Sequence, residues 1–203
     1  PYTTLFRSKP LLLALYQRYP EIEVNISVTD SSHLEMMLNE GAIDLAFIQR
    51  PYRSEGFDYV SLDPVKLVAV INKKCLPQPP ANPFDYNALG ALPLVLLHRA
   101  KDSGTYEMLI DLFRKAGVNP KVIMHITQPG VIIDWLESGL AAATLLPSSE
   151  VCAERLKECY VVEVFPSPQI FYPAMVKIPA VNWCSQVMEL VAEGYPFPDN
   201  SPR

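Results

Sequence analysis

Leu38-Asn39-Glu40-Gly41-Ala42-Ile43-Asp44-Leu45-Ala46-Phe47 decides the fold. Leu38 completes an apolar pattern with Leu34 and Met37, at the three- and four-residue spacing of a single helix face. Gly41 supplies the left-handed residue with which such a helix ends. Ile43–Ile48 then reads as a buried strand. The word returns 98 residues later as Leu136-Glu137-Ser138-Gly139-Leu140, and Thr127 stands to Gly139 as Thr29 stands to Gly41. Around the second copy, Ile132, Trp135 and Leu136 mark the helix, and Leu140–Leu146, stopped by Pro147, marks the strand.

Working outward, the elements continue in the same alternation. Leu12, Leu15, Tyr16 and Tyr19 predict a helix that Pro20 stops, and Glu23–Thr29 alternates polar and apolar as a strand does. The second half answers with a helix over Tyr106, Leu109, Ile110 and Phe113, ended by Ala116-Gly117, and a strand over Val122–Ile126. Helix and strand in turn predict an α/β chain of two Rossmann-like lobes with largely parallel sheets. Two unrelated α/β units with similar helix ends are the alternative to a duplication. Leu62–Asn72 reads as a long apolar strand, Lys73–Asn87 as a Pro-rich connection, and Val161–Phe165 and Phe171–Ile178 as two further strands. A helix over Cys184, Val187, Met188 and Val191 follows. A strand leaving lobe one and another returning to it predict a two-stranded hinge. Lobe one then takes residues 1–73 and 166–203, and lobe two residues 74–165, with a ligand cleft between them.

The 203 residues carry a net charge of −5, with Lys and Arg dispersed. That disfavours direct contact with a phosphate backbone. No apolar run approaches the length of a membrane span, so no membrane partner is expected. Cys75, Cys152, Cys159 and Cys184 form no C-x-x-C pair and read as free thiols in a reducing, cytoplasmic setting. No metal cluster, phosphate loop or nucleophile elbow stands out, so no cofactor and no enzymatic activity are expected. Pro1–Ser8 has neither a basic start nor an apolar middle, and the chain reads as a fragment whose N-terminus lies upstream.

Ligands of open parallel sheets bind beyond the carboxyl ends of strands. In lobe one that edge holds Ser31 and Ser32, where Ser32-His33-Leu34-Glu35 fits a capping box, and Gln49 and Arg50 at the end of the next strand. In lobe two it holds Thr127 and Gln128, with Ser103 in the Asp102–Thr105 turn that opens a helix. Spare helix N–H groups at such turns suit a carboxylate. Simple helix capping by Ser32, Thr105 and Thr127 explains each residue singly, and Arg50 either clamps a carboxylate or is solvated ahead of Pro51.

These words resemble a known family. Leu15-Tyr16-Gln17-Arg18-Tyr19-Pro20-Glu21-Ile22-Glu23-Val24 is similar to the opening of LysR-type effector-binding domains. Leu38–Phe47 resembles their "L-x-x-G-x-L-D-L-A-I", and Leu136–Ala141 with Leu145-Leu146-Pro147 their "V-x-x-G-L-G-I-x-x-L-P". The resemblance implies a periplasmic-binding-protein-like fold of type 2. It also implies a cytoplasmic sensor that binds a small-molecule effector, a small carboxylate or amphipathic metabolite, between its lobes. DNA is then reached only through an N-terminal winged helix that this chain lacks. The resemblance further implies a homodimer or tetramer, with Leu11–Tyr19 and Glu23–Val28 of one copy facing Tyr106–Lys115 and Val122–Ile126 of another. By position, Ser31, Ser32, Gln49, Thr127 and Gln128 fall on the family's effector-binding turns. There are departures. Gln49 stands where members binding aromatic or dicarboxylic acids often have Arg, Ala141-Ala142-Ala143 replaces a second glycine, and Pro1–Ser8 does not read as the family's first strand. A free solute-binding protein, an enzyme on the same fold and a pure dimerisation module are the competing readings.

Overall fold

The computed structural model describes residues 12–27, 29, 31–49, 56–98, 105–167, 172–182 and 184–192, with backbone only at 49, 105 and 191. The chain divides into two compact units, residues 1–63 with 172–203, and residues 64–171. The divisions fall ten residues earlier and six later than at 73 and 165, because the long apolar strand and its partners all belong to the second unit's sheet.

In the first unit, helix α1 (residues 12–18) is followed by α2 (Ser31–Asn39), strands β1 (Ala46–Gln49) and β2 (Asp58–Ser61), and, after the second unit, β9 (Pro173–Lys177) and α6 (Ser185–Ala192). The sheet order is β1-β9-β2 and both pairings are antiparallel. The expected parallel sheet is therefore not formed here. The strand that returns from the end of the sequence enters between β1 and β2 and runs against both. Of the strand expected over Glu23–Thr29, residues 23–27 lie outside regular structure, with Val24 and Ile26 about half exposed. Alternation alone does not make a strand without a neighbour to supply its ladder.

β9 shows how the apolar run is used. Ala174 and Val176 pack with Leu34 and Leu38 of α2, while Met175 on the opposite face packs with Leu15 of α1 and Val187 and Met188 of α6. Both faces are covered, so alternate residues serve two cores. Buried Lys177 at the end of β9 donates to Asp58 at 2.8 Å, which supplies the counter-charge its burial requires.

In the second unit the elements are β3 (Leu67–Asn72), β4 (Phe84–Asp85), α3 (Tyr86–Gly90), β5 (Leu94–Leu97), α4 (Thr105–Lys115), β6 (Val122–Ile126), α5 (Pro129–Glu137), β7 (Ala143–Pro147) and β8 (Cys159–Phe165). They build one six-stranded sheet in the order β4-β8-β3-β7-β5-β6. The parallel expectation holds where helices cross over: β5 runs parallel to β6 and to β7, joined through α4 and α5. It fails at β3, which is antiparallel to β7 and β8. One face buries Leu67, Ala69 and Ile71 with Leu109 and Phe113 of α4; the other buries Val70, Val95 and Leu97 with Ile132 and Leu136 of α5. The short β4 and the start of α3 fall in the stretch Lys73–Asn87 that reads from sequence as a Pro-rich connection, and α3 runs three residues past it.

The 98-residue offset is reproduced by the structure. α2 spans 31–39 and α5 spans 129–137, and the buried pairs Leu34 with Leu38 and Ile132 with Leu136 correspond. Both helices end alike. The Gly41 N–H donates to the Leu38 carbonyl and the Ala42 N–H to Met37; the Gly139 N–H donates to Leu136 and the Leu140 N–H to Trp135. This is the Schellman pattern, and both glycines hold the positive φ it needs (71° and 105°).

α5 has a further anchor. Asn72, buried at the end of β3, donates from Nδ2 to the Leu136 carbonyl at 2.7 Å and accepts at Oδ1 from the Lys74 N–H at 2.9 Å. Asn72→Ala removes one of the two bonds to the Leu136 carbonyl, that from the Gly139 N–H remaining, and takes the side-chain acceptor from the Lys74 N–H. It is expected to cost about 1–3 kcal/mol, read as a fall in Tm of roughly 2–4 °C per kcal/mol. A Tm within 1 °C of the parent would show that the two bonds contribute nothing net.

Candidate functional site

The strand ends singled out from sequence can be followed one by one. Ser31 and Ser32 are the first two residues of α2, Ser31 half-buried and Ser32 exposed. By these bounds the Ser32–Glu35 stretch read as a capping box lies inside the helix, and the residue preceding α2 is outside the described residues. Glu35, the other member of that box, is partly buried, and burial pushes its carboxyl above the usual carboxylate range. Gln49 is the last residue of β1, opposite Pro173. Arg50 and Ser103 lie outside the described residues.

In the second unit Thr127 and Gln128 are exposed between β6 and α5. Gln128 occupies the cap position of α5 with extended backbone (φ −119°, ψ 116°) and makes no side-chain cap bond; Pro129 opens the helix. A proline there needs no partner for a missing N–H. Thr127 lies one residue before the cap, so capping does not explain it. The N-terminus of α5 thus presents backbone N–H groups without a side-chain cap, beside a hydroxyl and a carboxamide.

The far end of α5 is fixed by Glu137. Its carboxylate accepts from the backbone N–H of Lys157 at 2.7 Å and of Glu158 at 3.0 Å. Lys73 in turn donates to the Lys157 carbonyl at 2.6 Å. Desolvation pushes the Glu137 carboxyl up, but those two N–H groups, the Cys159 thiol and the Lys73 ammonium together hold it below the usual range.

One constellation was not assigned from sequence. His98 directly follows β5, Tyr106 lies in the first turn of α4, and His125 is on β6. His98 stacks on Tyr106 with centroids 4.4 Å apart, and the His125 Nε2 lies 3.1 Å from the Tyr106 hydroxyl. The two imidazole centroids are 5.5 Å apart. The signal lay in the strand register: pairing 94–97 with 122–126 in parallel sets residue 98 beside the end of β6, and the His98 N–H does donate to the Ile126 carbonyl at 3.0 Å.

An apolar groove of about 250 Å³ is lined by Leu12, Leu15, Tyr16 and Tyr19 of the α1 region and by Ile22, Val24 and Ile26. Tyr16 is 72% exposed. Among the described residues, no three His, Cys, Asp or Glu side chains converge as a metal cluster, and no helix is long and apolar enough to cross a membrane.

Comparison with known proteins adds the relationship. Residues 3–173 match the model of the LysR substrate binding domain. The chain is 21% identical over 160 residues to the HTH-type transcriptional regulator BsdA of Bacillus subtilis (strain 168), covering 79% of this chain and 54% of that protein. It is 26% identical over 167 residues to a probable hydrogen peroxide-inducible genes activator of Mycobacterium leprae (strain TN), covering 78% and 50%. The chain thus spans about half the length of the curated relatives it matches. Among solved structures, the Synechocystis PCC6803 CcmR regulatory domain in complex with 2-PG superposes with a TM-score of 0.77 at 18% identity, covering 99% of this chain and 95% of that one.

The Glu137 anchor makes a pH prediction. A carboxyl held below its unfolded value stabilises the native state above about pH 4.5, and that contribution is lost as pH falls through the lowered native value. Glu137→Gln should therefore lower Tm at neutral pH and lose less further stability than the parent on acidification below pH 4.5. Parallel melting curves for the two chains from pH 7 to 3 would sink the assignment.

Proposed function

Because the chain belongs to the LysR substrate-binding-domain family, with its periplasmic-binding-protein-like type 2 fold, we propose that it is the effector-sensing part of a bacterial transcription regulator that holds a small carboxylate or amphipathic metabolite at its strand-end turns. The observation that carries this reading is the start of α5, where exposed Thr127 and Gln128 precede a helix N-terminus without a side-chain cap. Ser31 and Ser32 at the matching start of α2, with Gln49, Arg50 and Ser103, complete the proposed ligand-binding set. CcmR, described in complex with 2-PG, supports a small-molecule ligand for this fold. The names of the relatives support regulation and not catalysis as the role. DNA contact then belongs to a winged helix outside this chain, and the parent protein works in the cytoplasm.

The reading includes self-association as a dimer or tetramer. The groove lined by Leu15, Tyr16, Val24 and Ile26 on the first unit, and exposed Met108 and Ile123 on α4 and β6 of the second, leave apolar surface for a second copy to cover.

Thermal melting against carboxylates, amino acids and sugars tests the effector site. A ligand at about 100 times its Kd adds roughly 2.7 kcal/mol, several degrees at the usual scaling of about 2–4 °C per kcal/mol. The rise should be saturable for one chemical class and reduced in Thr127→Ala, whose own Tm stays near the parent's. A rise unaffected by both Thr127→Ala and Ser32→Ala moves the site elsewhere. A flat panel on the folded chain favours a dimerisation module instead.

The M. leprae relative's name raises a peroxide-sensing alternative. At Cys75, Cys159 and Cys184 the thiol chemistry argues against it, since the thiolate is the reactive form. Burial pushes the Cys75 thiol up. Burial, with the Glu137 carboxylate alongside, pushes Cys159 up to about 12, and burial with Asp44 pushes Cys184 up to about 11. Iodoacetamide should leave Cys159 and Cys184 unmodified at neutral pH until denaturant is added, as read by mass spectrometry. Rapid labelling of either in the native chain would return the redox reading to favour.

A further inference from the structure

Two of the chain's three histidines, distant in sequence, meet in the second unit beside a tyrosine. We propose that His98, Tyr106 and His125 form a binding site for a transition-metal cation of the Zn²⁺, Ni²⁺ or Cu²⁺ class. The proposal is independent of the effector reading and adds a second ligand to the same unit.

The geometry is that of neighbouring ligands. Two imidazoles bound to one tetrahedral ion at the usual Zn–N length have ring centroids about 5 Å apart; those of His98 and His125 are 5.5 Å apart with planes at 64°. Two donor atoms on one such ion lie about 3.3 Å from each other; the His125 Nε2 and the Tyr106 hydroxyl are 3.1 Å apart. Stacking of His98 on Tyr106 uses the ring faces, whereas donor atoms are on the ring edges. Imidazole nitrogen with one oxygen donor suits these three cations and not Ca²⁺ or Mg²⁺.

The placement is also built rather than accidental. Tyr106 and His125 stand on α4 and β6, and His98 directly follows β5, where its N–H bond to the Ile126 carbonyl ties it to β6 independently of the rings. Sites carried on regular elements hold their geometry better than sites on loops, which favours the Tyr106–His125 side of the site. His125 is exposed on the same face of β6 as Ile123, so the way in for an ion is open in the single chain and closes where a second copy covers that face. The core beneath is already closed by Leu109 and Phe113, so the imidazoles are not there to fill it. The positive end of α4 opposes a cation, and Glu107 in the same turn offsets it. The two imidazoles bind as neutral rings and Tyr106 as phenolate, its proton released to solvent as the ion binds; three protein donors then leave one tetrahedral position open. A bound ion would pin the first turn of α4 to β6.

Isothermal titration of the 203-residue chain with ZnCl₂ and NiCl₂ tests the site. One saturable equivalent is expected. His98→Ala and His125→Ala should each weaken it by about tenfold or more, Tyr106→Phe should weaken it less, and His33→Ala should leave it unchanged. Imidazole ¹H–¹⁵N spectra of the unaltered chain guard against a folding defect in the variants: the His98 and His125 resonances should move together with zinc while those of His33 stay. Absence of saturable binding by the folded chain, binding that survives both histidine variants, or zinc that leaves those resonances in place overturns the proposal.

Discussion

The second unit depends on one strand that has no solvent-facing side. Every residue of β3 is buried: β7 and β8 pair with its two edges, and helical cores cover its two faces. Burial of Leu67, Val68, Ala69, Val70 and Ile71 is favourable by roughly 25 cal/mol per Å² of apolar surface removed from water. It also requires that every backbone polar group be paired within the sheet. At its end the backbone pairing runs on through the Asn72 N–H to Ala142 and the Lys73 N–H to Glu158, and the Asn72 side chain adds bonds to the last turn of α5 and to the turn that follows. The position of α5, and with it of Thr127 and Gln128 at its start, follows from where β3 stops.

The same logic shows why the duplicated word was so legible. A helix ending in a Schellman turn needs an apolar residue on its inner face, a glycine at positive φ and a strand to follow, and each requirement leaves its own residue in the sequence. All three recur at Leu38, Gly41 and Ala46 and again at Leu136, Gly139 and Ala143. Strand pairing leaves no such mark. The apolar run of β9 gives no sign that it enters between β1 and β2 and reverses the expected direction, because direction depends on where the chain comes from and not on the side chains. Residues 22–27 show the converse: Val24 and Ile26 alternate with polar residues as in a strand, yet the segment forms no ladder and its apolar side chains line a groove.

At the candidate site, the positions were legible and the roles only partly so. Strand ends and helix starts can be read from sequence, so Ser31, Ser32, Gln49, Thr127 and Gln128 do fall on such edges. Whether a hydroxyl caps a helix depends on one residue of phase, and that phase displaces Ser32 into the first turn and Thr127 to just before the cap. The ring cluster needed more than phase. It required the register of β5 against β6 and the start of α4 at once, two facts spread over 28 residues, neither of which is visible at His98, Tyr106 or His125 singly.

The division of labour between core and turn explains why fold is so much easier to read than ligand. Leu38 and Leu136 are fixed by packing, and truncating either would leave a cavity costing about 2–5 kcal/mol. Thr127, Gln128 and Ser32 are exposed, and substitutions at such positions usually shift stability by no more than about 0.5 kcal/mol. Their side chains can be exchanged without cost to the scaffold. Chemistry placed there can follow whatever molecule the regulator must sense, while the helix starts that present it stay where the core holds them. Relatives at 18–26% identity can therefore share this architecture without sharing a ligand. In the proposed site, the residues that would distinguish a ligand are then the ones that contribute least to folding.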